Sequence, residues 1–84
     1  MMQFNEKDVR DTIRELRFEI EMLMKSHDRA VDRMRELRDK RTNNPERDKL
    51  RCKFLTRLGA EVKTARLQIE MLEAQLSGLE EQVR

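Results

Sequence analysis

Tryptophan and tyrosine are absent from this chain, and among its 84 residues there are only three phenylalanines, one proline, two glycines, one cysteine and one histidine. With so few aromatic side chains a conventional globular core is not expected, and so little Gly and Pro leaves few places to break a helix. Cys52 has no intramolecular partner, so no disulfide can staple the chain, in keeping with a reducing compartment; a small, half-buried side chain is expected there. The longest uninterrupted apolar run is Met22, Leu23, Met24, far below the roughly 20 residues of a membrane span, and the amino terminus carries no apolar signal region. A cytoplasmic protein without a membrane partner is expected.

Chemical motifs are missing as well. No Gly-rich phosphate loop, paired-cysteine motif or HExxH appears, and the plentiful carboxylates interleave with Lys and Arg as they do on solvated helix faces. Neither catalysis, a cofactor nor a metal is expected.

What the sequence does have is charge, 43% of its residues, and a regular apolar rhythm. In the first half Val9, Ile13, Leu16, Ile20, Leu23, His27, Ala30, Met34 and Leu37 follow one another in alternating steps of four and three. Setting Ile13, Ile20, His27 and Met34 at heptad position a places the others at d. The second half repeats the rule, with Leu55, Val62, Ile69, Leu76 and Val83 at a and Leu58, Ala65, Leu72 and Leu79 at d. Seventeen of these eighteen positions are apolar, which is the seam of a left-handed coiled coil and argues against disorder, the other reading of so much charge.

The punctuation divides the rhythm into two helices. Asn5 can cap the first, with Phe4 and Val9 at the positions of a hydrophobic staple. Arg35, Arg38, Lys40 and Arg41 suit the negative pole at its far end, Asn44 can cap the second, and Pro45 fits a first helical turn, where no amide donor is needed. The sequence thus predicts one all-α domain over residues 1–84: a helix over about 5–41, a turn at 42–45, and a helix over about 45–83. Folded back on itself it is an antiparallel two-helix coiled-coil hairpin with arms of roughly 55 Å. A single kinked rod in a parallel oligomer is the alternative, and Pro45 inside it would remove a hydrogen bond and clash with the preceding turn. Facing e positions would set Arg10 beside Glu80 and Arg17 beside Glu73.

A two-helix seam alone is marginal for a chain of this size, so further burial is expected. Candidates outside the seam are Met24, Val31, Cys52 and Gly59 on the e side, and Phe18, Met22, Leu50, Phe54, Leu67 and Met71 toward g, c and f. Phe18, Met22, Leu67 and Met71 stand at similar heights and could form one patch, and Gly59 would be explained by the close approach of another helix. Pairing of two hairpins into a homodimeric four-helix bundle follows as the expected assembly. His27, the one polar seam residue, reads as a layer that fixes register, or alternatively as a proton-sensitive or metal-holding position across a dimer.

Charge is unevenly placed. Residues 29–57 hold eleven Lys or Arg against five acids, net +6, which leaves −4 for the rest of a +2 chain. The turn therefore becomes a basic tip, with Arg35, Arg38, Lys40, Arg41, Arg47, Lys49, Arg51 and Lys53 as candidate contacts to a polyanion. Only Phe54 lies near this run, so a base-stacking platform is not evident.

In outline the two long helices and the Thr42, Asn43, Asn44, Pro45 turn resemble three kinds of helical hairpin: the amino-terminal hairpin of hantavirus nucleocapsid proteins, the Gre-type factors that enter the RNA polymerase secondary channel, and small type III secretion chaperones. The likeness lies in architecture and turn position rather than in any shared motif. Gre-type tips carry an acidic metal-holding pair, whereas this tip continues Glu46, Arg47. Three functions are expected on these grounds: a self-associating adaptor, scaffold or chaperone-like binding protein, a nucleic-acid-associated protein acting through its tip, or a small inhibitor that blocks a larger machine.

Overall fold

A computed structural model of the chain describes residues 5–40 and 42–83. Two helices account for nearly all of them, α1 (Glu6–Asp39) and α2 (Pro45–Gln82), and no strand occurs among the described residues. They lie antiparallel as a hairpin 66 Å long and 18 × 14 Å in cross-section.

Local chemistry sets each boundary. Asn5 is extended, and its side-chain oxygen accepts from the amide of Lys7 at 3.2 Å while its carbonyl accepts from Val9 at 3.1 Å. Glu6 and Asp8 follow in the first turn, where the positive pole of the helix favours acids. Phe4, the proposed staple partner of Val9, lies outside the described residues, as does Arg41. α1 stops at Asp39, two residues short of the predicted limit, because Lys40 leaves helical geometry (φ −89°, ψ 55°) after its amide closes a last bond to Glu36. Among the described residues of the turn none has a positive φ. Thr42 Oγ1 accepts from the amide of Asn44, and Asn44 Oδ1 accepts from the amides of Glu46 and Arg47, so α2 starts with its orphan donors satisfied and proline in the position where it lacks one anyway.

All eighteen seam side chains are buried or half-buried. The deepest are Val9, Ile13, Ile20, Ala30 and Val62, and no described side chain is completely enclosed. That thinness is geometric: in a two-helix rod each seam residue meets one partner helix and has solvent above and below it.

The expected cross-pairs do not form. Arg17 reaches Glu80 at 3.2 Å instead of Glu73, and Arg10 turns back along its own helix to Glu6 at 2.8 Å. An arginine on this edge sits between two glutamates one heptad apart, so the length and direction of the side chain decide which it meets, and apolar spacing carries no such information.

Candidate interaction surfaces

His27 sits mid-rod with its side chain 18% exposed. Its Nε2 accepts from Arg66 Nε at 3.0 Å, across the hairpin, and its Nδ1 lies 3.1 Å from Asp28 Oδ1. An arginine can only donate, so this geometry requires the neutral ring with its proton on Nδ1, which then donates to Asp28. Both ring nitrogens are thereby satisfied, and the polar seam position joins α1 to α2 at one height. A proton added at Nε2 would turn the acceptor into a donor and break the Arg66 contact. Arg66 itself was not among the residues singled out by sequence; its e position beside the histidine layer is the signal that points to it.

At the tip the heptad does not end where the apolar residues do. One heptad back from Leu55 and Leu58, the a and d positions are Asp48 and Arg51, and both are half-buried. Arg51 donates from Nε and a terminal nitrogen to Asp48 Oδ1 at 3.0 and 2.8 Å, and from its other terminal nitrogen to the Leu37 carbonyl at 3.4 Å. The guanidinium thus ties the first turn of α2 to the last turn of α1, and its side chain is only 16% exposed. Arg51 is therefore an internal fastener, which removes it from the expected set of outward cations. The acid and base three residues apart at a and d would have disclosed this had the heptad been extended past the apolar run.

The remaining tip cations face outward. Among the described residues Arg35, Arg38, Lys40, Arg47, Lys49 and Lys53 are exposed and take part in no ion pair. Lys40 and Arg47 rim an open groove of about 520 Å³ whose floor is Leu37, Leu50 and Phe54.

Of the ten apolar-flank candidates, Phe18, Met22, Met24, Leu50, Phe54, Leu67 and Met71 are exposed, while Val31 and Gly59 are half-buried. Cys52, at an e position on the flank of the seam, is exposed rather than half-buried. The structure does not bring Phe18, Met22, Leu67 and Met71 into one patch. Phe18 and Leu67, at f, point away from the seam on opposite sides of the hairpin, whereas Met71, at c, lines a groove that it shares with Glu19 and Leu23 of α1; Phe18 and Met71 are 63% and 64% exposed. Within the hairpin a Cβ at Gly59 would meet only the Met34 methyl, at an ordinary 3.8 Å.

Among the described residues no group of His, Cys, Asp and Glu is placed to hold a metal ion, and no helix is long and apolar enough to cross a membrane. The chain matches no protein-family model, no curated protein and no solved structure, so the architectural likenesses noted above bring no function with them.

Proposed function

We propose that this chain is a non-enzymatic protein–protein interaction module that self-associates, two hairpins forming a homodimeric four-helix assembly. The supporting observation is its surface. Size scaling gives a folded monomer of 10.2 kDa roughly 5,300 Å² of accessible surface, whereas the hairpin exposes 7402 Å². Seven large apolar side chains contribute to that excess. Large exposed apolar side chains in such number mark interfaces, and a dimer of standard size removes roughly 800 Å² from each partner. Light scattering at micromolar concentration is expected to give twice the chain mass; a stable, fully helical species of 10.2 kDa would overturn the proposal.

A second reading, an electrostatic contact with nucleic acid, is favoured by the six exposed tip cations that form no ion pair among the described residues. Its expected result is duplex binding at low salt that weakens steeply as salt rises, and that drops at least tenfold when Lys40, Arg47, Lys49 and Lys53 are all replaced by Ala. Equal binding by that variant removes the tip from consideration.

A further inference from the structure

The outer edges of the two helices differ in a way that sequence periodicity along the seam does not reveal. Along α1 the outward c and f positions are charged at Asp8, Asp11, Glu15, Lys25, Arg29, Asp32, Glu36 and Asp39, with only Phe18 and Met22 interrupting. Along α2 the same positions are charged toward the ends, at Glu46, Lys53, Arg57 and Glu81, but the six consecutive ones between Arg57 and Glu81 run Ala60, Thr64, Leu67, Met71, Ala74, Gly78 without a charge, in a chain that is 43% charged. All six are exposed, Leu67 and Met71 at 53% and 64%, and a Cβ added at Gly78 would meet nothing within 4 Å. α2 is thus apolar on two opposite sides, the pattern of a helix flanked by helices on both.

We propose that a second copy of this chain covers that outer side of α2, packing α2 antiparallel against its counterpart about a two-fold axis level with Ile69. The pattern of the stripe is self-complementary about that residue. An axis there sets Leu67 beside Met71 of the second copy, Thr64 beside Ala74, and Ala60 beside Gly78, so that the two bulky residues meet at the centre and the small ones let the helices converge on either side. The next step outward brings Arg57 level with Glu81, opposite charges at both rims of the contact. Parallel pairing would instead set Arg57 against Arg57 and Glu81 against Glu81. The antiparallel arrangement also lays the net-positive tip of each hairpin toward the net-negative open end of the other. The product is a layer of four helices in the order α1, α2, α2, α1, with the charged edge of α1 left outermost.

This inference rests on the proposed self-association and specifies the face that carries it. In a Cys52→Ser background, chains bearing Thr64→Cys and chains bearing Ala74→Cys are mixed and oxidised. A disulfide joining one chain of each kind is expected, with at least tenfold less within either kind alone, because residue 64 lies level with residue 74 of its partner and about 15 Å along the axis from its own copy. In parallel, Leu67→Lys with Met71→Lys is expected to halve the mass seen by light scattering, while Phe18→Lys, on the opposite edge, leaves it unchanged. A dimer that persists in the double-lysine variant without the mixed disulfide overturns this face and leaves self-association standing. A monomeric wild type overturns both.

Discussion

Substituting Ile20 by Asp should abolish the helical fold, whereas Phe18→Asp, two residues away, should leave it nearly intact. Ile20 is 7% exposed in the middle of the α1 seam, and Phe18 is 63% exposed on the outer edge. Removing a buried isoleucine side chain costs about 2 to 5 kcal/mol on its own, and placing a carboxylate with no partner there adds a desolvation penalty of several more. A small domain holds only about 5 to 15 kcal/mol in total, and one without a fully enclosed side chain sits toward the lower end. Exposed substitutions away from caps and cores change stability by about 0.5 kcal/mol or less. Circular dichroism at 222 nm and thermal melts at matched concentration check the pair. Equal midpoints for Ile20→Asp and the wild type would mean that the helices do not meet along this seam.

Arg51→Ala should lower stability by about 1.5 to 3 kcal/mol, the range for hydrogen bonds made by charged groups, which for a chain of this length shifts the melting midpoint by roughly 6 to 24 °C. The same change at Lys49, exposed and unpaired among the described residues, should shift it by less than about 4 °C. The difference arises because Arg51 acts inside the turn: its loss frees Asp48, half-buried at an a position, and leaves the Leu37 carbonyl without its cross-helix donor. An Arg51→Ala midpoint matching that of Lys49→Ala would return Arg51 to the outward-facing cations.

These two cases also mark what the sequence discloses. Hydrophobic spacing is a one-dimensional trace of which side of a helix is shielded, so the residues of the seam, the caps at Asn5 and Asn44 and the reversal before Pro45 are all legible in it. Polar contacts follow a different rule. Arg17 meets Glu80 rather than Glu73, Arg51 bends inward rather than out, and Arg66 crosses to His27, because a long flexible side chain selects among several partners within reach. The apolar flanks failed in a third manner. Height along the rod suggested that Phe18 and Leu67 are neighbours, but angle around each helix sends them to opposite edges. Spacing must be read in both coordinates, and reading it so around α2 discloses the uncharged stripe that height alone conceals.

Depth of burial along the rod bears on how it closes. Contacts near the turn link residues 14 apart, as between Leu37 and Arg51, while Arg17 and Glu80 are separated by 63. Zipping from the turn meets a chain-closure entropy that grows only logarithmically with separation, so each further heptad is cheap to add once the previous one has formed. Two of the five deepest side chains, Val9 and Ile13, lie at the far end, where a zipper would otherwise fray. The grip therefore does not fade toward the end that closes last, and amide exchange at the free end of α1 should be slower than in a hairpin whose burial faded with distance from its bend.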